Sequence, residues 1–155
     1  MSYHLSTLSF QLISRFLPIL LWMVQIFGSS AHSNPADMLP RFIVRFIWNT
    51  TIFGQRLFFL LGPLGHMVNF GVLAFLIARA IVWEAPLRNR HLLYAFLLSL
   101  LYGVTDEVHQ YFVPQRAFQV IDIFIDAFGA LLGLGVYAFY RLKRAQKLKE
   151  ETLML

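Results

Sequence analysis

The sequence predicts an all-α, polytopic membrane protein: a four-helix transmembrane bundle with an interfacial helix in its first outer loop. Three observations carry that expectation. Apolar residue types make up 58% of the 155 residues and charged types only 14%, against about 25% charge in an average soluble domain. A soluble chain of this length has too little interior to bury so much apolar surface. The apolar residues also fall in four segments near the length of a membrane span, with most basic residues at the segment ends, where orientation signals sit.

Composition excludes several classes. Cysteine is absent, which removes disulfide frameworks, thiolate metal sites and cysteine nucleophiles. The high apolar content argues against a disordered chain. The net charge of +5 is spread over segment ends rather than gathered on one polar stretch. The expected partner is therefore the lipid bilayer and not nucleic acid.

Residues 1–155 read as a single transmembrane domain without repeats. The first span covers about residues 10–28, with Arg15 before its apolar stretch and Pro18 near its start. Ser29, Ser30 and Ala31 follow it, so a cleaved signal peptide is the alternative reading, with three further spans left either way. In the first outer connection, Pro40 to Phe53, spacing by three or four puts Arg41, Arg45, Trp48 and Asn49 on one helical face. Phe42, Ile43, Phe46 and Ile47 cover the rest, as in a helix lying on the outer leaflet; an irregular apolar loop is the alternative. Asn49-Thr50-Thr51 matches a glycosylation acceptor, a pattern frequent by chance.

The second span is expected over 57–83, the third over 91–112 and the fourth over 117–140, followed by a basic cytoplasmic tail, 141–155. Only Leu92 to Val104 of the third is cleanly apolar. Pro35, Pro40, Pro86 and Pro114 fall in the connections, where helices should stop. Orientation follows from Lys and Arg. With both termini cytoplasmic, Arg15, Arg79, Arg88, Arg90 and the five basic residues of the tail lie inside. Only Arg41, Arg45, Arg56 and Arg116 lie outside.

The polar residues within the spans carry the functional information. Asp106, Glu107, Asp122 and Asp126 are four of the eight acidic residues, and each sits in or beside apolar helix. A carboxylate at mid-membrane costs about 2.5–3.5 kcal/mol even on a lenient scale, so these acids require partners. Asp106 and Glu107 share a face with Gln110, and Asp122 shares one with Asp126, Gly129 and Gly133. The glycines make a small-residue surface that admits another helix, so this face should look inward. Gly62, His66 and Asn69 share a face of the second span. The expected topology places His66, Asn69, Asp106, Glu107, Gln110, Asp122 and Asp126 in the outer half of the membrane, with Arg116 in the turn above them. Arg116 is expected to pair with Asp122 or to hold an anionic headgroup. His109 falls to one side of the Glu107–Gln110 face.

The run Tyr102-Gly103-Val104-Thr105-Asp106-Glu107-Val108-His109-Gln110-Tyr111-Phe112-Val113-Pro114-x-Arg116, followed by Asp122, Asp126, Gly129 and Gly133, resembles the VanZ-like family. Gly65-His66 in the second span and Leu21-Trp22-Met23 with Ser29-Ser30 in the first also fit it. Asn69 and Phe70 stand where that family commonly has Glu and Tyr. The resemblance implies a bacterial cytoplasmic-membrane protein in the context of the cell envelope and of teicoplanin-type glycopeptide resistance. It implies no reaction.

Three functional classes stay open. The first binds or acts on an amphiphilic or lipid-linked envelope molecule through His66, Asn69, Asp106, Glu107, Gln110, Arg116, Asp122 and Asp126. The second is an intramembrane enzyme, in which Glu107, Asp126 and His66 share protons or hold a divalent metal. The third is a structural subunit whose polar core only specifies packing. No HExxH, serine triad, phosphate-cradling loop or nucleotide motif is present, so the sequence names no cofactor.

Overall fold

The computed structural model describes residues 2–32 and 39–154, with side chains from Phe10 onward. Pro35 lies outside the described residues. The order of elements is α1 (Ser2–Ser30), α2 (Arg41–Asn49), β1 (Thr51–Ile52), β2 (Gln55–Arg56), α3 (Leu57–Val82), α4 (Asn89–Tyr111) and α5 (Val120–Leu153). Among the described residues the regular structure is helical apart from one hairpin of two-residue strands. Among the described residues, Phe10–Ser30, Leu57–Val82 and Val120–Leu153 are long and apolar enough to cross a membrane. α4 has the length but carries polar residues along one face.

The prolines punctuate as expected in three places. Pro40 caps the start of α2, Pro86 lies between α3 and α4, and Pro114 lies between α4 and α5. Pro18 and Pro63 are inside helices. The segment after Pro40 is a helix rather than an irregular loop, but it ends at Asn49. The chain then reverses in an antiparallel hairpin pairing Thr51 with Arg56 and Ile52 with Gln55. Phe53 and Gly54 both have positive φ, 51° and 78°, as the tightest hairpin turn requires, and glycine meets that demand without strain. The hairpin folds α2 back onto α3, where Trp48 meets Phe58 edge-on at 4.8 Å and Arg56 covers the Trp48 ring.

α3 and α5 form the largest interface. Its centre is glycine on both sides. A Cβ on Gly129 would strike the Met67 carbonyl, with Met67 Cα at 2.7 Å, and one on Gly133 would strike the Gly71 carbonyl, with Gly71 Cα at 2.8 Å. Gly71 in turn would place a Cβ 3.0 Å from the Gly129 carbonyl. The two backbones touch because no side chain intervenes. Below this contact the core is Leu73, Ala74, Ile77 and Ala78 of α3 against Ala95 of α4 and Ala130, Leu134 and Tyr137 of α5.

The end of α3 is held by arginines. Trp83 has φ 44° and closes the helix. Arg15 donates to the Ala80 carbonyl, while Arg141 donates to the carbonyls of Trp83 at 2.9 Å and Ala85 at 2.7 Å. Arg15 thus serves a carbonyl of the last turn, which lacks an intrahelical partner, and Arg141 holds the chain just beyond the helix end. α5 does not stop at Tyr140 as the apolar pattern suggests. It runs on through the basic tail to Leu153, because Arg, Lys, Gln, Glu, Ala and Leu are strong helix formers. Lys147 and Glu151 add one pair across a turn.

The glycine contact yields the first prediction. Gly133→Leu should lower the melting temperature in detergent sharply, since overpacking typically costs about 1–3 kcal/mol and here the obstacle is backbone. An unchanged melting temperature would show that α3 and α5 do not meet there.

Candidate functional site

α4 carries Asp106, Glu107 and Gln110 on the face that packs against α3 and α5. All three are buried, Glu107 completely at 0% exposure. Water does not solvate them, so the hydrogen bonds that satisfy them must come from the bundle. They divide into two groups.

The first group is centred on Asp106. Its Oδ2 accepts from Ser30 Oγ of α1 and from Gln110 Nε2 one turn along α4, each at 2.9 Å. Gln110 Oε1 accepts from Arg116 Nη1 at 2.9 Å, and Arg116 Nη2 donates to the His32 carbonyl at 3.2 Å. The chain of bonds from Ser30 to His32 therefore ties the end of α1 to the end of α4 and to the turn before α5. Arg116 does not pair with Asp122. Its guanidinium is taken by an amide and a carbonyl, and Asp122 makes no ion pair among the described residues.

The second group joins α3, α4 and α5. His66 Nδ1 lies 3.0 Å from Asp126 Oδ1. Glu107 Oε2 accepts the backbone N–H of Gln119 at 2.9 Å, which satisfies a donor at the start of α5. One atom from each of His66, Glu107 and Asp126 lies within 4.8 Å of the other two. The second oxygens of both acids, Glu107 Oε1 and Asp126 Oδ2, are buried without a partner among the described residues, as is Asp106 Oδ1. Asp126 packs closely on Gly103, where a Cβ would sit 3.1 Å from Asp126 Oδ2. With Asp126 ionised, His66 Nδ1 donates and Nε2 keeps its lone pair. Such a group can store a proton or hold a cation.

Both groups meet at a cavity of about 440 Å³. Its walls are apolar and come from Val44 and Ile47 of α2 and Phe58, Phe59 and Leu61 at the start of α3. Its polar lining is Ser29, Ser30, His66, Asn69, Asp106 and Arg116. Glu107 and Asp126 do not reach it and lie behind His66. Gly62 and Gly65 complete the α3 side, and a Cβ on either would meet no atom within 4 Å.

The sequence-predicted residues are thus mostly brought together. Gly62, His66 and Asn69 do share one face. Asn69 lines the cavity, and its backbone carbonyl accepts from Trp22 Nε1 at 2.9 Å. His109 stands apart, stacked on Phe27 at 4.0 Å between ring centres. Sequence reasoning missed Ser30 as a hydrogen-bond donor, although it stands in a run of small residues that had attracted attention for cleavage. The backbone contributions of His32 and Gln119 leave no signal in residue identity.

The bridging position of Gln110 can be tested. Gln110→Leu keeps approximate size but leaves Asp106 short of a donor and Arg116 short of an acceptor. Each buried group left unpaired costs about 1–3 kcal/mol, so the melting temperature in detergent should fall clearly below wild type. A variant as stable as wild type would mean that water replaces the amide.

Comparison with known families comes out on the same residues. A family model described as VanZ/LLP1 matches residues 15–141, a stretch that contains α2 through α4, most of α5 and every residue of both polar groups. Comparison with curated proteins gives no match, and neither does comparison with solved structures. The match spans most of the chain and agrees with the resemblance carried by the Asp106–Arg116 run: this membrane protein belongs to the VanZ/LLP1 family.

Proposed function

We propose that this protein binds, or acts on, an amphiphilic or lipid-linked molecule of the bacterial cell envelope, taking it from the outer leaflet of the cytoplasmic membrane. The observation that carries the reading is the cavity. Its apolar walls end on a polar floor, which is the shape of a molecule with a hydrocarbon part and a polar head. Aromatic and aliphatic side chains of α2 and α3 suit the chain. Arg116, His66 and Asn69 suit an anionic or hydrogen-bonding head. The family's association with glycopeptide resistance gives the proposal its envelope context.

In this reading α4 also crosses the membrane, making four spans. Its 23 residues reach about 35 Å at 1.5 Å per residue, enough for the hydrocarbon core. Leu93, Leu97, Leu101 and Val108 follow one another at helical spacing and are all about half exposed or more, a surface suited to lipid. Ser99, Asp106, Glu107 and Gln110, which lower its hydropathy, are buried. Both termini are cytoplasmic in this reading. Supporting that orientation, Arg15, Arg79 and Arg141 cluster at the end of the bundle opposite the cavity, where the positive-inside rule puts them.

Two measurements follow. Reporter fusions at Leu155 and at Gln115 should report opposite sides of the membrane, with Leu155 cytoplasmic; an extracytoplasmic C-terminus would place the cavity in the inner leaflet and end the envelope-facing reading. The second measurement fills the cavity. Gly62→Phe and Gly65→Phe put a ring into open space, so folding and melting temperature should stay near wild type. Mass spectrometry of protein extracted in native nanodiscs should then show an amphiphile enriched with wild type and lost from both variants. Identical lipid content in all three would remove the cavity from consideration.

A further inference from the structure

We propose that His66, Glu107 and Asp126 form a binding site for a divalent first-row transition-metal cation behind the cavity floor. The first argument is charge. Glu107 is 0% exposed and Asp126 1%, and neither has a Lys or Arg partner; the ion pairs among the described residues are His66–Asp126 and Lys147–Glu151. Arg116, in the turn between α4 and α5, is committed to Gln110 and the His32 carbonyl. A buried carboxylate must be neutralised by a proton or by a cation.

The second argument is that each acid keeps one oxygen in reserve. Glu107 Oε1 and Asp126 Oδ2 have no hydrogen-bond partner among the described residues, although both acids are enclosed. Fully enclosed polar atoms are normally satisfied, so orphans on two neighbouring helices need an occupant. Gly103 lets the Asp126 side chain lie against the α4 backbone, since a Cβ there would crowd Oδ2 at 3.1 Å.

The third argument is the donor set. Once a cation displaces the proton that His66 Nδ1 shares with Asp126, the 3.0 Å between Nδ1 and Asp126 Oδ1 is close to the separation of adjacent ligands around a cation held at about 2.0–2.2 Å. With donor atoms of all three residues within 4.8 Å, side-chain adjustments of about 1 Å would close the shell on such an ion. One imidazole with two carboxylates suits zinc, manganese or iron(II). The absence of thiolate argues against a soft ion, and the imidazole against calcium or magnesium. Three protein ligands leave a position open. Because His66 borders the cavity, an oxyanion on a bound head group would be the natural fourth ligand. That last step alone rests on the amphiphile reading. Cation binding itself does not.

The experiment uses purified full-length protein without added amphiphile. Wild type, Glu107→Gln, His66→Asn and the distant control Glu84→Gln are prepared without chelator, and their metal content is measured by mass spectrometry. Wild type and Glu84→Gln should retain a stoichiometric first-row metal, and the two site variants should lose it. Wild type stripped with EDTA should gain about 5 °C or more in melting temperature when zinc or manganese is restored at saturation. The stripped wild-type protein serves as its own reference, so the result survives a variant that folds poorly. A metal-free wild type with no thermal response would overturn the proposal and leave a shared proton in the gap. Equal retention by Glu107→Gln and His66→Asn would also overturn it. The cavity-filled Gly62→Phe should still retain metal, so failure of the amphiphile reading and failure of the cation site produce different results.

Discussion

The backbone contact between α3 and α5 is the constraint on which the rest depends. Lipid is as apolar as the helix surfaces, so association in a membrane draws on close packing rather than on the hydrophobic effect. Gly71, Gly129 and Gly133 allow the two helices to approach until carbonyl meets Cα. Three residues before Gly129 stands Asp126, and one residue before Met67 stands His66. The approach that packs the glycines is therefore the approach that sets the Asp126–His66 distance. A wider separation of α3 and α5 would break the polar contact along with the apolar one.

The two polar groups divide the work. The Asp106 group is almost closed: serine, amide, guanidinium and carbonyl form a continuous chain of donors and acceptors, with a single carboxylate oxygen to spare. Such a network fixes the relative placement of helix ends, because removing one member leaves others unsatisfied. The His66 group is open. Two acids hold spare oxygens, and the histidine borders a cavity. Closed networks specify structure, whereas open ones have capacity left for a proton, an ion or a ligand. Their adjacency lets the rigid group hold the reactive one in register.

Most of the bundle was legible in the sequence because its signals are local. Apolar runs mark α1, α3 and α5, and prolines mark the breaks. The face shared by Asp122, Asp126, Gly129 and Gly133 announces its own burial. The i, i+4 relation of Asp106 to Gln110 put them on one face, where they are hydrogen-bonded. What was not legible depends on tertiary placement. Arg116 had an obvious acidic neighbour in Asp122, but the turn directs it to Gln110 and His32 instead. Ser30 gains its role only because the end of α1 passes Asp106. The helical continuation of α5 was hidden because the apolar pattern ends at Tyr140 while helix propensity does not. The hairpin after α2 turns on Phe53 and Gly54, and a phenylalanine at positive φ carries no turn signal.

The uninterrupted length of α5 has a mechanical consequence. A helix of 34 residues is a rod about 51 Å long at 1.5 Å per residue, whereas the hydrocarbon core is about 30 Å thick. Asp122 and Asp126 stand near one end of that rod and the Lys/Arg-rich stretch occupies the other. Arg141 fastens its middle to the loop after α3 through the Trp83 and Ala85 carbonyls. One continuous helix thus joins the Arg141 contacts to the Asp126–His66 contact, so a tilt of α5 as a rigid rod would be felt at both.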